Sequence, residues 1–129
     1  MLVATFDGAT VVVIRHYVFD AAMRCPMTTE RRDDFVLAVN EIMANVVRHG
    51  GGTGRLRLWR DGDLVCQVTD NGPGFDVDPI LNGERPRPAP TGGMGLWLVR
   101  QTTDKLTIQT GSTGTTIRIR SHLGSPDGR

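Results

Sequence analysis

The chain has 129 residues and a formal net charge of +1, which fits one domain. About a quarter of it is Leu, Ile, Val or Phe, enough to exclude a disordered chain, and the balance of 15 basic and 14 acidic residues excludes a strongly basic arm or an acidic tail as the main device. Cys25 and Cys66 lie far apart with no CxxC or Cys/His cluster, which excludes a zinc site or a disulfide framework as the organising element.

Two cysteines set inside apolar segments, too few for a disulfide framework, suit a reducing compartment. No apolar run approaches the ~18 residues of a membrane span, and no secretory signal opens the chain. A soluble, cytoplasmic protein without membrane contact is expected.

Residues 2–6 read as a strand before an Asp7-Gly8 turn. Residues 10–24 carry two signals. Val11, Val12, Val13 and Ile14 favour a strand by β-branching, while Val13, Tyr17 and Ala21, with Ile14, Val18 and Cys25, recur at helical spacing. Length decides for a helix, closed by Pro26. Thr28 or Thr29 caps a second helix over 28–49, with Glu30, Asp33 and Asp34 near its positive end. Phe35, Val39, Ile42 and Val46 form its apolar stripe, and Gly50-Gly51-Gly52 stops it.

Strands at 55–60 and 64–70 flank Asp61-Gly62, a strong hairpin signal. Residues 71–92 hold five of the seven prolines and predict no regular element. A helix over 94–104 opens after Gly92-Gly93. Strands at 106–110 and 115–120 surround a turn at 111–114, and the tail from His122 is expected to fray. Leu56 and Leu58 alternate with Arg55 and Arg57, and Ile117 and Ile119 with Arg118 and Arg120. One apolar and one polar face mean a sheet covered on one side. The predicted fold is α+β, a two-layer α/β sandwich with a mostly antiparallel sheet.

Three motifs bear chemistry. Glu41 and Asn45 stand one helical turn apart on one face, and their oxygens suit Mg²⁺ or water positioning. A solvated helix face would look the same. Asp70-Asn71-Gly72-Pro73-Gly74-Phe75 follows a strand directly. An aspartate there can accept from an amino group, and Gly72 and Gly74 let backbone approach a ligand; a plain turn is the alternative. Gly92-Gly93-Met94-Gly95-Leu96 runs into a helix start, where free N–H groups and the helix dipole favour an anion. It is neither a P-loop nor a Rossmann fingerprint, since no GK[ST] follows and GxGxxG fails.

The order of these motifs over roughly residues 30–120 resembles the GHKL superfamily. This is the Bergerat ATP-binding fold of gyrase-type topoisomerases, ninety-kilodalton heat-shock chaperones, sensor histidine kinases and mismatch-repair proteins. The resemblance implies ATP/ADP and Mg²⁺ as cofactors. It implies Glu41 as general base or as the group that orients the attacker, Asn45 as the Mg²⁺ ligand, and Asp70 as acceptor from the adenine amino group, with Gly72 and Gly74 supporting that loop. It also implies Gly93, Gly95 and the amide of Leu96 around the phosphates, and Thr115 of Gly114-Thr115 beside the adenine, although Thr116 follows directly. Residues 76–92 would be the lid of one domain over 1–121, with 122–129 a disordered tail.

Forty residues precede Glu41, too few for the dimerisation hairpin of a histidine kinase, and His16 is a poor phosphoacceptor. Glu-Ile-Met-Ala-Asn-Val-Val-Arg-His-Gly and Gly-Gly-Met-Gly-Leu-Trp-Leu-Val are similar to the boxes of the anti-sigma-factor serine/threonine kinases. That resemblance implies phosphorylation of a STAS-type anti-anti-sigma protein and sequestration of a sigma factor by partner switching, in a homodimer. An ATP-gated binding module without kinase activity is the alternative. A nucleic-acid role for Arg55, Arg57, Arg118 and Arg120 is third, and the near-zero net charge speaks against it.

Overall fold

The computed structural model describes residues 1–82 and 94–124. Strand β1 (Leu2–Asp7) leads into helix α1 (Val11–Met23), then α2 (Thr29–His49), β2 (Thr53–Asp61), β3 (Asp63–Asp70), α3 (Asp78–Leu81), α4 (Met94–Thr102), β4 (Lys105–Gly111) and β5 (Gly114–His122). The five strands form one antiparallel sheet in the order β1-β2-β3-β5-β4. This is the predicted two-layer α+β architecture.

Period-two alternation sets the layers. Leu56 and Leu58 of β2, Leu64, Cys66 and Val68 of β3, and Ile117 and Ile119 of β5 point into one core with the helices. Arg55, Arg57 and Arg118 stand exposed on the opposite face. From α2 come Phe35, Ala38, Val39, Ile42, Met43 and Val46, all buried. Its N-cap is Thr28, whose hydroxyl accepts from the Arg31 amide at 3.2 Å. Gly54 sits beneath the Phe6 ring, where a Cβ would come within 2.6 Å of it, so bare backbone lets β1 and α2 close over β2. Burial pushes the Cys66 thiol up to about 12, which makes it an inert core residue.

Four expectations need correction. The apolar face of α1 is Val11, Ile14, Val18, Ala21 and Ala22, whereas Val13 and Tyr17 are exposed. Only one helical register meets the core, and the run of valines masks which one. Within 71–92, where no regular element was expected, Asp78–Leu81 form one helical turn with Pro79 in its first positions. That turn is held from outside: Arg100 donates to the Ile80 carbonyl at 2.7 Å, and Ile80 is buried. Helix α4 ends at Thr102 rather than 104. Finally, β5 continues through His122 instead of fraying there.

His122 stays in the sheet because its neighbours bind it. Its amide donates to Asp104 at 2.6 Å, and its Nδ1 lies 2.9 Å from Asp63 Oδ1. The Asp63 hydrogen bond, helped by the Asp104 charge, raises the His122 pKa above 6.5. The same bond holds the Asp63 carboxyl below 3.8. The histidine's contribution to stability is therefore complete below pH 6.5 and is lost as pH rises through its raised value. The aspartate's contribution is complete above pH 3.8 and is lost as pH falls through its depressed value. The pair works best between the two. The melting-temperature deficit of His122→Ala should accordingly be larger near about pH 5 than near about pH 8. Equal deficits at both would remove the pair's role.

Candidate functional site

Strand β3 is the central strand, and it ends at Asp70 beside the C-terminus of α2. Asp70 is only 7% exposed. Its Oδ1 accepts from the Gly72 amide at 2.8 Å, closing an Asx turn. Its other oxygen faces Gly50, where a Cβ would come within 2.5 Å of Oδ2. Gly72 in turn lies on the Gly50 backbone, with a Cβ there only 2.7 Å from the Gly50 Cα. Without side chains at 50 and 72, the helix end, the carboxylate and the turn pack into one another.

Across the ladder, Asp70 pairs with Thr115, which is 4% exposed. The Thr115 hydroxyl lies 2.8 Å from that of Thr110, which also accepts from the Phe75 amide at 3.4 Å. Thr116 points to the other face, 3.3 Å from the Thr69 hydroxyl. The sheet's alternation thus decides between the two adjacent threonines in favour of Thr115. Gly74 has φ +81, and a Cβ there would meet the Gly111 carbonyl oxygen at 2.5 Å. Glycine is needed for the loop to turn under the β4–β5 hairpin.

These pieces surround a cleft of about 240 Å³. Of the sequence-predicted residues, Asn45, Asp70, Gly74, Leu96 and Thr115 line it. Gly72 supports it from behind. Glu41 stands one turn before Asn45, and its Oε2 is 2.6 Å from where a Cβ on Gly95 would sit. Glu41 therefore abuts the first turn of α4 and is not among the residues lining the cleft. Gly93 lies outside the described residues, as does the part of the expected lid from 83 to 92.

The sequence reading missed His49, Gly50, Phe75, Asp76 and Ile80, which complete the wall. Gly50 was visible only as a helix stop, and Phe75 only as the end of a turn motif. Ile80 carried no signal, because the turn that presents it is stabilised by Arg100 from twenty residues away. Among the described residues, no three His, Cys, Asp or Glu side chains are grouped to hold a metal, and no helix is long and apolar enough to cross a membrane.

The model of the histidine kinase-like ATPase domain family matches residues 4–121. The chain belongs to that family. Solved structures agree on the fold of this ATPase-like domain. The histidine kinase domain of a blue-light activated histidine kinase from Erythrobacter litoralis is similar at 23% identity and TM-score 0.59, over 93% of this chain and 68% of that one. The mycobacterial sensor histidine kinase MprB is similar at 21% identity and TM-score 0.57, over 95% of this chain and all of that one. The Acinetobacter baumannii histidine kinase AdeS is similar at 14% and 0.56, over 97% and 69%. The domain spans 43% of the longer Erythrobacter litoralis kinase structure. None of the curated proteins matches the chain significantly.

A methyl group at position 50 would strike Asp70 Oδ2 and, at 2.9 Å, the Val46 Cα of the helix backbone, which cannot move aside. Gly50→Ala is expected to cost ~1–3 kcal/mol, the usual range for overpacking, seen as a lower urea midpoint. An unchanged midpoint would show that the three-way contact is slack.

Proposed function

We propose that the cleft binds ATP with Mg²⁺, and that this domain is a protein serine/threonine kinase that also acts as an anti-sigma factor. The observation that carries the nucleotide reading is the pairing of Asp70 with Thr115. Burying a carboxylate and a hydroxyl side by side costs free energy unless both find partners, and they share the wall of one cleft. With Oδ1 held by Gly72, Asp70 keeps Oδ2 for the adenine amino group. Guanine presents a carbonyl in place of that donor and would leave the carboxylate unsatisfied. Gly50, Gly72 and Gly74 each pack closely enough on neighbouring protein atoms to exclude a Cβ, which holds this wall of the cleft in place for a ligand.

Mg²⁺ prefers six oxygens and keeps waters or phosphate oxygens among them. Asn45, in the cleft wall, would supply one amide oxygen, and phosphate and water would supply the other ligands. ATP would supply the phosphoryl group, and phosphoryl transfer asks the protein mainly for positioning and charge neutralisation. The N–H groups of the first turn of α4, which have no acceptor within the helix itself, serve the phosphates at Gly95 and Leu96. Glu41 takes the proton of the acceptor hydroxyl at a carboxylate oxygen.

One feature favours a hydroxyl on another protein as acceptor. The Glu41–Gly50 stretch is similar to that of the anti-sigma-factor kinases. On this reading a STAS-type anti-anti-sigma protein receives the phosphoryl group, a sigma factor is held or released according to ATP or ADP, and the protein works as a cytoplasmic homodimer. One observation favours a second reading, an ATP-gated binding module without kinase activity. The Glu41 carboxylate rests against Gly95 rather than lining the cleft.

Calorimetry tests the pocket. Asp70→Ala should weaken ATP binding by about 10- to 150-fold, the value of a charge-assisted hydrogen bond, and erase any preference over GTP. Unchanged ATP affinity would refute the pocket. Glu41→Ala separates the two activities: it should still bind ATP yet transfer no radiolabelled phosphate to an anti-anti-sigma substrate. Full transfer by that variant removes the general base. A wild-type protein that binds ATP but labels no substrate supports the binding module.

A further inference from the structure

The sheet face turned away from the helices has its own organisation. Val65 is fully buried there although it is not part of the main core cluster, and its ladder neighbours are Trp59 and Arg120. The Trp59 ring carries two guanidinium groups, Arg57 at 5.2 Å and Arg118 at 5.3 Å from its centroid. Arg118 is also clamped: its Nε and Nη2 donate to Gln67 Oε1 at 3.1 and 2.6 Å. A neutral amide and an indole fix the direction of these cations without cancelling their charge. Arg55 stands exposed two residues before Arg57 on the same face.

Compensation on this face is uneven. Arg120 is paired with Asp61 and Asp63 at the hairpin end. Arg55, Arg57 and Arg118 have no carboxylate partner among the described residues. Holding like charges together is unfavourable by itself, and it leaves a surface ready for anions.

We propose that Arg55, Arg57 and Arg118 form a docking surface for an acidic segment of a partner protein, on the side of the sheet opposite the nucleotide cleft. Strand spacing puts Arg57 and Arg118, two strands apart, ~10 Å from each other, with Arg55 ~7 Å along β2 from Arg57. That footprint takes about three carboxylates, for which the guanidinium fork is the matching donor. A depression of about 150 Å³ lined by Gln67, Thr107, Gln109, Thr116 and Arg118 adds hydroxyl and amide donors for one of them. At the β1 edge, Val3 pairs with Arg57 and is 80% exposed, an apolar contact that a peptide uses and a phosphate backbone does not. A second copy stacked face to face would oppose arginine to arginine. Nucleic acid, whose bases stack on aromatic rings, would meet a tryptophan already covered by guanidinium groups.

Fluorescence anisotropy with a fluorescein-labelled peptide of alternating glutamate and serine tests this. The full chain should bind it saturably, more weakly as salt rises. Arg55→Glu/Arg57→Glu/Arg118→Glu should weaken binding about tenfold or more, and the three Arg→Gln changes should do so with less risk to the fold. Circular dichroism and ATP affinity should stay at wild-type values in both. Reversal off this face, Arg24→Glu/Arg60→Glu, should have little effect. The proposal is overturned if the peptide does not bind, if the off-face variant loses as much as the on-face one, or if a DNA duplex binds more tightly than the peptide at matched salt. It is also overturned if on-face charge reversal changes the sedimentation of the protein alone, since the face would then serve a second copy. None of these readouts depends on whether the cleft binds ATP.

Discussion

The end of α2, the end of β3 and the turn after it can meet only because two of the meeting positions have no side chain. Gly50 and Gly72 lie against each other, and Asp70 is wedged beside them, with one oxygen on the Gly72 amide and the other against Gly50. Everything at the cleft follows from this contact. It sets Asn45, one turn back along α2, over the cleft, and it brings Asp70 level with Thr115 on the neighbouring strand. A buried carboxylate survives because the turn it stabilises also stabilises it.

The sheet divides the chemistry of the domain into two faces. Residues at one parity bury against α1, α2 and α4 and form the core and the cleft wall. Residues of the other parity carry the arginines. Adjacent residues therefore have unrelated roles. Asp70 and Thr115 belong to the cleft, while Thr69 and Thr116 bond to one another on the far face. Cys66 is sealed in the core, while Gln67 beside it orients Arg118. A partner on the outer face and a ligand in the cleft would meet different side chains of the same strands.

The lower lip of the cleft is built less firmly than the rest. The turn at 78–81 has four residues and borrows its stability from the Arg100 side chain and from the burial of Ile80. Four residues are too few to form a helix unaided. The helix that holds the lip is α4, whose first turn meets Glu41 at Gly95.

Much was legible in the residues alone. Alternation at 55–58 and 117–120 specified the strands and their inner face, because a strand has only two sides. The stripe from Phe35 to Val46 specified α2, and Thr28 or Thr29 its start, of which the structure uses Thr28. The polar pair on that helix, the aspartate at a strand end and the glycines before α4 pointed to one nucleotide-binding family, since each is a local device whose spacing survives without coordinates. What tertiary structure alone decided were the choices that local physics leaves degenerate. It selected which of several valine registers turns α1 inward, whether Thr115 or Thr116 faces the cleft, and that residues 78–81 coil around a carbonyl held from α4. It also carried β5 on to His122 through Asp63 and Asp104. Each depends on a neighbour distant in the chain, and no window of sequence contains both partners.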